Sequence, residues 1–191
     1  GKAASHLPGD CEVAMTMNVA KILAHPSFSK SVVPALEDAL KKVSTTGNDA
    51  TKADAFLKDT GINAKSFTDV AMCVKDTDGS KPSISAAFAG DIKADSIVPA
   101  IEKADASVSS KVKDIDGRKA ISDADVTLGQ LSDGTIAIGS SEALFKGLSA
   151  TGDNAVAKYK LDTGKELAFS VSESLIQKAM SKGGNTPPER L

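Results

Sequence analysis

The sequence is poor in the residues on which most enzyme sites and nucleic-acid surfaces depend. In 191 residues it has two histidines, two cysteines, no tryptophan and one tyrosine, Tyr159. Aromatic side chains make up 4% of the chain, so stacking against exposed bases has almost nothing to work with. An excess of one charge is missing too. Basic residues number 23 against 25 acidic ones, and the two signs are interspersed. A nucleic-acid binder needs a basic stripe and a polybasic membrane anchor needs a cluster; neither is present. No apolar run approaches the about 20 residues of a transmembrane helix.

Chemical motifs are equally scarce. His6 falls in a polar lead and His25 before Pro26, where an exposed loop residue is a simpler reading than a catalytic base. No H-E-x-x-H or Cys/His cluster offers zinc ligands. No G-x-S-x-G elbow presents a serine, and Ser140 or Ser141 reads as a helix N-cap. Cys73, with Lys75 the nearest basic residue in sequence, reads as a structural thiol rather than a nucleophile. Phosphate loops of either common form are absent. Acidic turns at 76–79, 114–117 and 123–125 resemble pieces of a calcium loop. The twelfth residue counted from Asp76 is Ala87 and from Asp114 is Asp125, where an EF-hand needs Glu, so hairpin turns explain them better. The sequence therefore nominates no catalytic, cofactor-binding or metal residue, and no cofactor.

What is present is an ordinary globular balance, with 41% hydrophobic and 25% charged residues, enough for one sizeable core. Alternation over 12–19 puts Val13, Met15, Met17 and Val19 on one face of a strand. A short helical turn at 20–23 should stop at Pro26. Helical spacing marks 31–43, with Ser31 as cap, and 52–60, closed by Gly61. Strands follow at 69–75 and 83–89, with Asp78-Gly79 as a turn. A helix is expected at 96–104 and a meander of short strands over 110–139, punctuated by Asp116-Gly117 and Asp133-Gly134. A helix at 141–148 leads through a loop to a strand at 166–172, and a last helix covers 173–182. These elements predict an α+β domain over 11–182. It has two layers, a mainly antiparallel sheet with helices packed on one face. Residues 1–10 read as a disordered lead and 183–191 as a linker-like tail.

Two pairs of segments echo each other. Residues 31–39 and 96–104 share a Ser cap and an early Pro. Residues 12–18 and 166–172 share a Glu-led strand followed by a short helix. The offsets differ, so this is no simple tandem repeat. Recurrence of a common local solution explains the echoes, and so does a β–α unit reused along one sheet.

Cys11 and Cys73 both lie in or beside strands. They are either a disulfide, which points to an oxidising compartment, or two small buried thiols. Cys11 shares its strand face with Val13 and Met15, whereas Cys73 lies opposite Met72 and Val74. A bridge therefore requires Cys11 to sit just outside the regular strand.

Three stretches resemble secreted or lipoprotein-type proteins of unknown function from soil bacteria, especially myxobacteria: 7–26, 57–71, and 131–139 with the helix after it. The resemblance implies export and residence near a membrane, with no activity to carry over. The chain opens Gly1-Lys2-Ala3 without Met, a processed or engineered start, so any signal or lipid anchor is expected upstream. The sequence thus favours a non-enzymatic extracytoplasmic protein in the periplasm, on the outer surface or secreted. It would be a binding or structural module acting through surface contacts with a protein or surface partner, or by assembling into a homo-oligomer. Two other readings remain. One is a carrier holding a lipid or other apolar ligand between sheet and helices, with Met15, Met17, Met72 and Met180 as adaptable liners. The other is an enzyme with an unfamiliar site.

Overall fold

The structure is a computed structural model that describes residues 1–30, 34, 50–63, 65–76, 81–149 and 154–183. Its centre is one eight-stranded sheet, antiparallel at every pairing. The strands are β1 (Val13–Met17), β2 (Phe67–Lys75), β3 (Ser83–Gly90), β4 (Val112–Ile115), β5 (Arg118–Asp123), β6 (Val126–Gln130), β7 (Ile136–Gly139) and β8 (Leu167–Val171). They lie in the order β4-β5-β6-β7-β3-β2-β1-β8. The helices are α1 (Val19–Ala24), α2 (Ala50–Thr60), α3 (Ile97–Ala104), α4 (Glu142–Ser149), α5 (Ala155–Tyr159) and α6 (Glu173–Gly183). This is the expected α+β fold with its meander.

The two faces of the sheet differ in kind. Two rows of small residues run across one face. One row is Ser170, Ala14, Cys73, Ser85, Gly139, Thr127 and Ser122. The other is Ala168, Thr16, Ala71, Ala87, Ala137, Gly129 and Ala120. Short side chains let covering segments approach closely, and Leu7, Phe145 and Leu148 fill the space above them. Gly139 shows how close the approach is: a Cβ there would lie 2.5 Å from the backbone nitrogen of Phe145 in α4. The opposite face carries the large residues. Phe88, Leu128, Ile136 and Ile138 pack there beneath Phe56 of α2 and Ile97 and Ile101 of α3.

Helices therefore cover both faces, not one as expected. The alternation pattern alone marks the large residues as the inward set, whereas the small face is the more deeply buried one. The expected disordered lead is corrected as well. Residues 3–6 form a 3-10 turn, and Ala3, Ala4 and Leu7 are buried in the core. Composition misleads here because a short polar segment needs only three apolar side chains to cap an alanine surface.

Other departures have local causes. Pro26 opens the helical stretch 26–30, where its missing N–H costs nothing, rather than merely stopping α1. The Ser96 hydroxyl donates to Lys93 O instead of capping α3. The cap comes from across the fold, where Gln130 Oε1 accepts from the N–H groups of Ser96 and Ile97 at 2.7 and 3.1 Å. The unforeseen α5 is capped by Asn154, whose oxygen accepts from Val156 N–H while its nitrogen donates to Ala4 O and Ser5 O. The expected helix at 31–43 lies outside the described residues except at residue 34, which is helical. The Asp78-Gly79 turn lies outside them too, as does the tail beyond Gly183.

Ser85 sits on the small-residue face, 1% exposed, and its hydroxyl makes no hydrogen bond among the described residues. A buried hydroxyl without a partner keeps its desolvation cost. Ser85→Ala should therefore be neutral or stabilising, by up to about 1 kcal/mol, in urea unfolding.

Candidate functional site

The residues singled out in the sequence take structural positions. Cys11 and Cys73 form a disulfide with their Cα atoms 5.3 Å apart. Cys11 precedes β1, just outside the regular strand, which resolves the parity conflict. The surrounding segment is pinned by α5: Tyr159 Oη donates to Cys11 O at 2.5 Å and Lys158 Nζ to Gly9 O at 2.7 Å.

His25 is exposed and meets Phe28 edge to face. Ser141 Oγ accepts from Leu144 N–H as the cap of α4, and Ser140 Oγ accepts from Ile84 N–H. The acidic turns at 114–117 and 123–125 close hairpins: Asp114 Oδ1 accepts from Gly117 N–H, and Asp116 and Gly117 both take positive φ, as a two-residue hairpin requires. No group of three metal-ligating side chains occurs among the described residues. Nor is any helix among them long and apolar enough to cross a membrane.

A polar cluster with a clearly shifted group joins the N-terminal segment to the β6–β7 loop. His6 Nδ1 lies 3.0 Å from Leu148 O and Nε2 lies 2.9 Å from Asp133 Oδ2. Lys2 Nζ donates to Asp133 O and lies 3.7 Å from its carboxylate. Partial burial raises the Asp133 pKa, but hydrogen bonds from His6 and from Thr135 N–H outweigh it and hold the group at about 2, against an ordinary 3.8. A depressed carboxylate stabilises the fold above its unfolded value and loses that contribution as pH falls. Stability should therefore drop between about pH 5 and pH 2, by roughly 1 kcal/mol after allowing for solvent screening. Asp133→Asn should flatten that part of a stability-against-pH profile. The cluster ties elements of the fold together.

Two open grooves of about 360 Å³ flank the sheet. One is lined by Asp95, Val98, Pro99, Arg118, Lys119 and Gln130. The polar end of Gln130 is already consumed by capping α3 and by bonds to Lys93 O and Gly134 O. The other is mostly apolar, lined by Ala20, Leu23, Ala24 and Phe67 together with Ser29 and Lys65.

The most unusual surface is at the β8 end. β8 is an edge strand whose outer side no strand covers among the described residues. Leu167 and Phe169 point out from it, 51% and 69% exposed. The helix that follows adds Ile176 at 48% and Met180 at 72%. Four large apolar side chains exposed on one strand–helix unit are of the kind that marks a contact surface. The alternation of Leu167, Phe169 and Val171 was visible in the sequence. Their exposure was not, because it depends on β8 lying last in the sheet.

No protein-family model matches the chain, and no curated protein matches it. Among solved structures, crystal form I of the treponemal protein TP0453 superposes with a TM-score of 0.45 at 11% identity, over 99% of this chain and 69% of that one. A likeness that loose carries no argument about what this chain does.

Proposed function

We propose that this is a non-enzymatic protein that works outside the cytoplasm as a binding or structural module, through surface contacts. The observation that carries the reading is the open β8 edge with Leu167, Phe169, Ile176 and Met180 uncovered beside it. Large apolar side chains left this exposed cost solubility unless something covers them in use. The disulfide supports the location, since such bridges persist mainly in oxidising compartments. It fits the exported proteins whose segments the sequence resembles.

The full chain should show no turnover on a broad panel of hydrolase and transferase substrates. Turnover abolished by a single substitution would sink the reading. A second reading, a carrier for an apolar ligand, is favoured by the groove of Ala20, Leu23, Ala24 and Phe67. It predicts that protein from its native envelope retains a ligand in native mass spectrometry. A consistently bare mass counts against it.

A further inference from the structure

The sequence echo between residues 12–18 and 166–172 is realised as a local two-fold axis. The echoed strands, β1 and β8, lie side by side and antiparallel, and the equivalent residues Met15 and Phe169 face each other on the axis. To either side Val13 meets Val171 and Met17 meets Leu167. The helix caps obey the same relation. The Asn18 side chain accepts from Lys21 N–H, and Ser172 Oγ accepts from Leu175 N–H.

The two halves differ in what covers them. β1 is paired on both sides, by β2 and β8, whereas β8 is paired only by β1 among the described residues. Ser172 N–H donates to Glu12 O, and Glu166 O accepts from Asn18 N–H. Strand alternation then turns the backbone groups of Leu167, Phe169 and Val171 to the open side. α1 packs against β2, while its equivalent α6 packs on no described strand to a comparable extent. Among the described residues no strand takes the place that the local symmetry offers beside β8.

We propose that a second copy of this chain docks there, β8 against β8, antiparallel about a two-fold axis through Phe169. The inference rests on the reading that the protein acts through surface contacts. In this register Leu167 meets Val171 of the second copy, and Ala168 meets its Ser170. That repeats the observed β1–β8 match of large with large and small with small, with residues 167–171 in place of 13–17. Lys165 falls opposite Glu173 of the second copy at both ends and Glu166 opposite its Ser172, while β8 itself, residues 167–171, carries no charge or proline. The other edge of the sheet is guarded against such pairing. β4 is four residues long, with Lys113 and Asp114 exposed, and Lys113 is engaged by Glu142. Docking through β8 consumes both open edges, so assembly closes at two copies.

Sedimentation equilibrium of the full chain over a wide concentration series tests this. The mass should rise from one copy and level at two. Phe169→Lys should hold the chain at one copy. Ile84→Lys, at an exposed apolar site on an inner strand, should leave the dimer intact. A short bis-maleimide should link Phe169→Cys to its own counterpart far more than Leu167→Cys, which faces Val171. A single copy at every concentration, or a dimer indifferent to Phe169→Lys, overturns the proposal. So does open-ended growth, or a single copy that instead floats with phosphatidylglycerol vesicles through Phe169. None of these results touches the non-enzymatic reading, which only turnover would remove.

Discussion

Replacing Cys11 and Cys73 together with alanine should lower the unfolding free energy by about 4 kcal/mol. The bridge closes a loop across a sequence separation of 62 residues. Removing that constraint returns the loop-closure entropy to the unfolded chain, and the chain-entropy relation gives about 4 kcal/mol for a loop of this length. The native side adds little, since alanine suits a face already lined with alanine. For a chain of this size the midpoint of thermal unfolding should fall by roughly 10 °C. Both cysteines are 0–1% exposed, so reductant should act slowly on the folded protein and quickly once urea opens it. Urea unfolding of the double variant, beside wild type with and without reductant, measures the effect. A loss below about 1 kcal/mol would mean that the unfolded chain is already compact around this loop.

The class of fold was legible because strand alternation and helical spacing are local signals. The meander between residues 112 and 139 could be read from its turns, since Asp116-Gly117 takes a conformation few other pairs tolerate. The disulfide's geometry was legible too: the parity argument required Cys11 outside the strand, and it is there. What the sequence concealed is which face of the sheet is deepest. Val13, Met15 and Met17 read as the buried set, yet they are only half-buried while Ala14 and Thr16 opposite are fully enclosed. Hydrophobicity ranks a methyl group low, but rows of alanine, glycine and serine create the close approach that Leu7, Phe145 and Leu148 then fill. Such rows exist only once strands are in register, and register is non-local. The same limit hid the cap that Gln130 places on α3 and the exposure of Phe169. The echo of Glu12–Asn18 in Glu166–Ser172 was visible, but that the two copies pair with each other was not.

Deleting residues 1–9 should be the most damaging small change to the chain. If the segment were a loose lead, its loss would leave stability unchanged. It instead places Ala3, Ala4 and Leu7 over the alanine face, each 0–2% exposed. Ala3 N–H donates to Asp69 Oδ1 at 2.7 Å, and Ala155 N–H donates to Leu7 O at 3.1 Å. Leu7→Ala alone should cost about 3 kcal/mol, the transfer of the side chain plus the cavity left beside its neighbours. The full deletion exposes Ala71, Ala87 and the flank of Phe145, and frees Asn154 from Ala4 O and Ser5 O. A sheet stripped of that cover keeps its backbone hydrogen bonds but loses the close packing of one face. The deletion should therefore retain far-UV dichroism, bind an apolar dye and unfold over a broad urea range. Leu7→Ala should still unfold cooperatively, shifted to lower urea at an unchanged slope. That contrast separates loss of one packed side chain from loss of the layer. It also identifies the N-terminal segment as part of the rigid frame that presents the β8 edge.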